Sequence, residues 1–464
     1  MILARLLSPA DYGVVAMVAA ITGFVAVLKD GGLSTATIQQ TEITDAQVST
    51  LFWINASLGF SVAAIVLMIS PAVAWFYNNP DLMWVTCAMS VPFALGGLTV
   101  QHQALLQRQM RFRALAAIDI SCMFLSLFVA VIMAIYGFHY WSLVTMTITS
   151  ALANVLLVWV LCRWRPTRPR RGSGVRSMLA FGGGLTINNL LGTVGGAVDR
   201  VLLGKFFGTN TAGQYSRAQG LLYQPIQQIM PALQTVGLPA LSRLKSQPEK
   251  YSSTFLNLMK VTVFASSFMA AFIFSGADWL VKFFLGPQWT EAVAVFRCFV
   301  GPVFTIPIST LCILSLTAQG KGLALVRWGI VNNAVVVFSI LMGLPWGAKG
   351  VAAAISISSV CVRVPYLYYL LGKVGPVAMV DLWRIAAPGF LLCITATFAL
   401  LLLRSVVLLH NVVIGLLILF CMNAVLHGLV AWGTPWGKSA INVVRSLVLS
   451  LKTGIKKVTI QDIK

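Results

Sequence analysis

The chain has 464 residues, 58% of them hydrophobic and 10% charged, with a mean hydropathy of +0.86, a composition outside the range of soluble globular domains. Its formal net charge is +21, yet no soluble segment is long enough to form a basic domain. The excess therefore reads as the Lys/Arg bias of cytoplasmic loops in a membrane protein, and nucleic acid is excluded as a partner. Eight cysteines are scattered without a C-x-x-C pair, nearly all inside apolar runs, so they read as small buried hydrophobes and imply no disulfide, metal or other cofactor.

In chain order, Met1–Arg5 is already apolar before Ser8-Pro9. It is too short for a span or for a secretory signal with a basic leader, and reads as the last turns of a helix whose beginning is absent. Apolar runs able to cross a bilayer follow near 12–38, 46–70, 82–107, 115–136, 141–161, 177–205, 212–240, 253–285, 291–318, 324–344, 347–371, 380–403 and 409–432. A span needs roughly 20 apolar residues, and a core such as Met123–Ile135 carries no polar face. The expectation is thirteen full helices and a fragment.

Alternate connections collect the cations: Arg108/Arg111/Arg113, then Arg163 to Arg176, then Arg243/Lys245/Lys250, followed by Lys321, Lys373, Arg384 and the tail Lys438 to Lys464. The opposite connections hold little more than Arg5, Lys205, Lys282, Lys349 and Arg404. The first set is cytoplasmic by the positive-inside rule, and so is the C-terminus. Segment 162–176, with six arginines and no apolar period, reads as a linker between halves.

Those halves look like repeats. Arg5 to Gly13 lies against Lys205 to Gly213 at an offset of 200; Phe76 to Pro80 resembles Phe283 to Pro287; Pro92 answers Pro302; Leu106 to Arg111 resembles Leu316 to Lys321. Four matches in one order predict six helices per repeat, and an even number relates the copies by an axis along the membrane normal. The expected fold is an all-α integral membrane protein with two six-helix lobes in parallel pseudo-repeat, two additional C-terminal helices and a truncated first helix. The expected domains are an N-lobe at 1–161, a basic linker at 162–176, a C-lobe at 177–373, two further helices at 380–432 and a cytoplasmic tail at 433–464.

No hydrolytic or redox motif is present. Gly433 to Ser439 has three residues between its glycines where a phosphate-cradling loop needs four, and no strand precedes it; transport, if it is the function, is secondary. Mid-span prolines at Pro92, Pro225, Pro231, Pro302, Pro307, Pro365 and Pro388 predict kinked helices. Ionisable residues inside spans are costly and usually face a cavity. Arg363 is the clearest, with Lys29-Asp30, Arg297, Asp199-Arg200 and Arg217 behind it. Cations outnumber anions among them, which suits an anionic substrate such as a phosphate. The substrate-binding candidates are Lys29, Arg200, Arg217, Arg297 and Arg363. Asp30 and Asp199, with Asp119 beside them, are the coupling-ion candidates. Asn188, Gly192, Gly195 and Asp199 form a polar stripe on one helical face, equally readable as a packing seam or as part of a pathway.

Leu3-Ala4-Arg5-Leu6-Leu7-Ser8-Pro9-Ala10-Asp11-Tyr12-Gly13, Asp30-Gly31-Gly32-Leu33-Ser34-Thr35-Ala36 and Asp199 to Gly208 resemble signatures of Wzx-type polysaccharide and O-antigen flippases. These belong to the multidrug/oligosaccharidyl-lipid/polysaccharide exporter superfamily, and the likeness is to its colanic acid and lipopolysaccharide exporter branch. The resemblance covers essentially the whole chain, except that members usually carry about 20–25 more residues before the first signature. It implies two lobes around a central cationic cavity in a bacterial inner membrane. It also implies alternating-access transfer of undecaprenyl-pyrophosphate-linked oligosaccharide from the cytoplasmic to the periplasmic leaflet, for exopolysaccharide or lipopolysaccharide synthesis. A polysaccharide polymerase and a chain-length regulator are the protein partners it suggests, alongside membrane lipids. The alternatives are a multidrug or cation antiporter, which would favour acidic cavity residues, and a membrane polymerase or ligase, which would need a larger outer segment. The expectation is a transporter and not an enzyme.

Overall fold

In a computed structural model the chain is all-helical among the described residues, which are 1–30, 32–40, 42–169, 196–406 and 411–439, with Val175, Met178, Leu179, Gly183, Thr186 and Asn442; for 27–30, 229–236 and 406 the description is of the backbone alone. The helices are α1 (Ile2–Leu6), α2 (Pro9–Asp30), α3 (Leu33–Gln39), α4 (Asp45–Tyr77), α5 (Asp81–Met89), α6 (Val91–Gly97), α7 (Val100–Arg108), α8 (Phe112–Ile135) and α9 (Trp141–Cys162). After them come α10 (Val198–Arg243), α11 (Pro248–Ser275), α12 (Ala277–Phe284), α13 (Thr290–Cys298), α14 (Val300–Ala318), α15 (Gly322–Gly343), α16 (Gly347–Ser358), α17 (Val364–Val374), α18 (Met379–Val406) and α19 (Val412–Gly433).

Nine helical stretches among the described residues are long and apolar enough to span a bilayer, and the bent run Asp81–Arg108 makes a tenth if taken as one span. This is a multi-pass membrane protein. The expected thirteen differ for local reasons. The predicted span 177–205 lies about half outside the described residues, as does most of its polar stripe, and its end 198–205 belongs to the first arm of α10. The predicted 212–240 belongs to α10, which does not reach the apolarity of a span. The predicted 324–344 and 347–371 form one stretch, Gly322–Val374, folded back at the turn Leu344–Trp346, where Gly347 takes a left-handed φ of 66°.

Two compact units result, Met1–Ser216 and Arg217–Lys464. The boundary between these units falls inside α10. The start of the basic segment is tied down: Thr167 donates from its backbone N–H and its hydroxyl to Ser49 Oγ at 3.1 and 3.0 Å, and Trp53 Nε1 donates to Thr167 O at 2.9 Å. In the first unit α8 packs along α9, and α4 along α2, α5 and α6; Met17, Val18, Leu82, Val85 and Val144 fill the space between α2, α5 and α9. In the second unit α11 lies between α14, α18 and α19.

Local signals explain the boundaries. Ser8 caps α2 reciprocally: its backbone N–H donates to Asp11 Oδ2 at 2.8 Å and the Asp11 N–H donates to Ser8 Oγ at 3.2 Å. Pro9 holds the first helical position, where no N–H is needed. Thr44 and Gln47 cap α4 in the same way, at 2.9 and 3.3 Å. The repeat is visible in backbone geometry. Arg111 N–H donates to Leu106 O at 2.9 Å and Lys321 N–H to Leu316 O at 3.0 Å, closing the same helix-ending turn. The left-handed residue is Met110 (φ 55°) in the first copy and Gly320 (φ 71°) in the second.

Candidate functional site

The first signature and its repeat meet. α10 is two arms joined at Gly208, whose φ of 79° and ψ of −177° suit only glycine. The second arm begins at Thr209 and crosses α2 at its start. A Cβ on Gly13 would fall 1.8 Å from Thr209 O, and one on Gly213 would fall 1.8 Å from Pro9 O. Pro9 and Thr209, and Gly13 and Gly213, are equivalent positions of the two repeats. The contact is therefore reciprocal, and the glycines of the signatures are there to let backbone meet backbone.

The corner at Gly208 is stapled by charged and phenolic groups. Asp199 is 3% exposed and Tyr215 fully buried. Tyr215 donates from its hydroxyl to Asp199 Oδ2 at 2.8 Å, and the Arg200 backbone N–H donates to Oδ1 at 2.7 Å. Arg200 Nε lies 3.8 Å from Oδ1 and its Nη2 donates to Gly196 O at 2.6 Å. Lys205 donates to Phe76 O and sits 5.1 Å over the Phe76 ring, a cation at the C-terminus of α4. Asp199 and Arg200 are thus next to each other and engaged. Arg217 lies two residues beyond Tyr215 and is exposed. The side chains of Lys29 and Asp30 lie outside the described residues, although their backbone is helical.

Arg363 has a different setting. Pro365 cannot donate a backbone hydrogen bond, and the chain just before it widens into a π turn, Ser359–Arg363, closed by the Val364 N–H on Ser359 O. Arg363 is half-buried and reaches back over this turn, its Nη2 donating to Ile355 O at 3.0 Å. Its Nε is buried without a hydrogen-bond partner, and no carboxylate pairs with it among the described residues. A guanidinium inside an apolar stretch is costly to leave without a counter-ion.

Arg297, by contrast, shares a carboxylate. Its Nη2 lies 3.3 Å from Asp278 Oδ1, while Arg404 grips the same carboxylate with two bonds of 2.7 Å and lies 4.1 Å over the Trp279 ring. Burial pushes the Asp278 carboxyl up, but the hydrogen bonds and charge of Arg404, and then the charge of Arg297, hold it below the usual range. This cluster binds α18 to α12. Sequence reasoning missed it because Asp278 and Arg404 are 126 residues apart.

The first unit has two further polar centres. Asp119 faces a cavity of about 570 Å³ with Thr99, Gln103, Ser126, Ser150 and Asn154. Gln103 Nε2 donates to Asn154 Oδ1 at 3.2 Å, and no cation pairs with Asp119 among the described residues. Separately, His102 is fully buried, stacked on Trp159 at 4.7 Å and edge-on to Phe52 and Trp164, with Arg165 5.3 Å over Trp159. The aromatic spacing of this box, unlike the arginines around it, had no signal in the sequence.

The family described as polysaccharide biosynthesis protein matches residues 2–294. Among its curated relatives, the chain is 26% identical over 279 residues to the teichuronic acid biosynthesis protein TuaB of Bacillus subtilis, covering 59% of this chain and 57% of that protein. It is 25% identical over 345 residues to the succinoglycan biosynthesis transport protein ExoT of Rhizobium meliloti, covering 74% of this chain and 69% of that one. The chain thus matches somewhat less than two thirds of the first of these relatives. Among solved structures, an inward-closed conformation of the lipid II flippase MurJ superposes with a TM-score of 0.72 over 96% of this chain and 95% of that chain, at 12% identity, a likeness of fold.

Proposed function

This chain belongs to the polysaccharide biosynthesis protein family, and we propose that it is a flippase. It turns undecaprenyl-pyrophosphate-linked oligosaccharide repeat units from the cytoplasmic to the periplasmic leaflet of a bacterial inner membrane, for exopolysaccharide or lipopolysaccharide synthesis. It moves its substrate without making or breaking a covalent bond. Its C-terminus is cytoplasmic, a reading the Lys/Arg distribution supports. The functional lobes are 1–161 and 177–373, joined through 162–176 and followed by helices 380–432. A polysaccharide polymerase and a chain-length regulator act beside it.

The observation that carries this reading is Arg363, half-buried in an apolar stretch with no carboxylate partner among the described residues. A diphosphate neutralises such a guanidinium, and a bidentate contact fixes its orientation. Arg363 is the primary phosphate ligand, with Lys29 and Arg217 assisting. Arg200 and Arg297 contribute to the field while holding Asp199 and Asp278. Asp119, with no cation partner among the described residues, is the better-placed group for a coupling ion; Asp199 is engaged by Tyr215. Names of relatives support the substrate class: one is a transport protein of succinoglycan biosynthesis, and the structural likeness is to a lipid II flippase.

The test uses cells lacking the gene. Lipid-linked repeat units accumulate and stay protected from a glycan-cleaving enzyme added to the periplasmic side; restoring the chain exposes them. Repeat units that accumulate exposed and unpolymerised would instead make the protein a polymerase.

A further inference from the structure

The second unit carries a basic and aromatic cavity that the transport reading does not use. It has a volume of about 510 Å³ and lies where α15 begins and α17 ends. Lys321, Arg327 and Lys373 line it with Tyr366 and Tyr369, and no acidic residue does. The ring of Tyr366 stacks on Trp328 at 6.4 Å and 21°. Lys373 Nζ donates to the Tyr369 hydroxyl at 3.3 Å and lies 5.7 Å from that ring. None of the three cations meets a carboxylate among the described residues.

Its position says what fills it. Lys321 precedes α15 and Lys373 is the penultimate residue of α17, so both sit at the mouth of the stretch Gly322–Val374. Arg327 is five residues inside α15, roughly 7.5 Å along the axis at 1.5 Å per residue, from where its long side chain can reach back to a phosphate at the mouth of the stretch. Leu323, Val326 and Ile330 on the same helix are 78%, 60% and 65% exposed, an apolar flank for acyl chains. Tyrosines at this level match the interfacial preference of amphipathic rings. Three cations with no carboxylate partner among the described residues, beside exposed apolar surface, are the complement of a phosphate carrying acyl chains.

We propose that this cavity is a binding site for the headgroup of an anionic phospholipid, with Lys321, Arg327 and Lys373 on the phosphate oxygens, Tyr366 and Tyr369 walling the headgroup, and the acyl chains along Leu323, Val326 and Ile330. The site is separate from Arg363, and its test does not depend on the flippase reading.

The experiment is native mass spectrometry of the delipidated full chain in neutral detergent, titrated with cardiolipin, phosphatidylglycerol or phosphatidylcholine. The wild type retains the two anionic lipids and not phosphatidylcholine. Lys321→Gln, Arg327→Gln and Lys373→Gln each weaken binding about five-fold, and the triple variant about a hundred-fold. Arg327→Lys keeps most of the affinity, which separates loss of charge from loss of fold. Arg384→Gln, a cation outside the cavity, leaves it unchanged. Unchanged binding in a folded triple variant, or equal binding of phosphatidylcholine, overturns the proposal. So does displacement of the lipid by millimolar inorganic phosphate, which would make this a free-phosphate site, or by lower concentrations of a polyprenyl diphosphate than of cardiolipin, which would make it a substrate site.

Discussion

Replacing Gly13 by Ala tests the reciprocal crossing of the two signatures. The new Cβ would stand 1.8 Å from Thr209 O and 2.5 Å from Thr209 C. Both obstacles are backbone, so no rotamer change relieves them, and α2 and the second arm of α10 have to part by roughly 1.5 Å to reach ordinary contact. Overpacking of this kind costs about 1–3 kcal/mol, and the upper end applies where neither side can rotate away. Alanine returns up to about 1 kcal/mol of helix propensity, leaving a net loss of about 1–2 kcal/mol. For a unit of this size that lowers the melting temperature by about 3–6 °C, read by tryptophan fluorescence during heating in detergent. Gly23, in the same helix, has nothing within 4 Å of a built Cβ, so Gly23→Ala leaves stability unchanged or raises it slightly. Gly213→Ala matches Gly13→Ala, and the double variant loses less than the sum because both substitutions push the same helices apart. A Gly13→Ala protein as stable as the wild type, or a Gly23→Ala protein equally destabilised, would refute the reasoning.

Three other outcomes follow from single sites. Met110 takes a left-handed φ where the repeat has Gly320, and it is 71% exposed; Met110→Gly raises stability by up to about 1 kcal/mol, seen as a higher melting temperature. Asp11→Ala removes half of the reciprocal cap on α2 and costs about 1 kcal/mol in the same assay. The Asp278 carboxyl is held below its usual range in the folded protein, so its stabilisation is present at neutral pH and is lost as pH falls from the ordinary aspartate value of about 4 through the folded value. Asp278→Asn is therefore less stable than the wild type at pH 7, and the difference shrinks below pH 4; a difference independent of pH would contradict the assigned role of Arg404.

Much of the fold was legible because a bilayer imposes few solutions. Apolar runs such as Met123–Ile135 have to be helices, since nothing in hydrocarbon satisfies a free backbone. The two copies of the signature announced the repeat, whereas the reciprocal cap of Ser8 and Asp11 at the start of α2 emerged only with the structure. The corner at Gly208 was harder to see, because a glycine in a helical context signals nothing until the chain turns there. The site was legible only in part. Arg363 stood out from its apolar neighbours and Pro365 hinted at a distorted helix. The pairing of Arg297 and Arg404 with Asp278, and the staple from Tyr215 to Asp199, depend on which helices meet, and charge type alone carries no such information.

The central claim is tested most directly in vesicles reconstituted with the chain and a fluorescent undecaprenyl-pyrophosphate oligosaccharide, followed with a membrane-impermeant quencher. The wild-type protein renders nearly all of the label quenchable, protein-free vesicles keep about half protected, and Arg363→Ala, at equal incorporation, slows the conversion at least ten-fold, the effect of about 1.4 kcal/mol. A protected fraction that stays the same with and without the protein would contradict the claim.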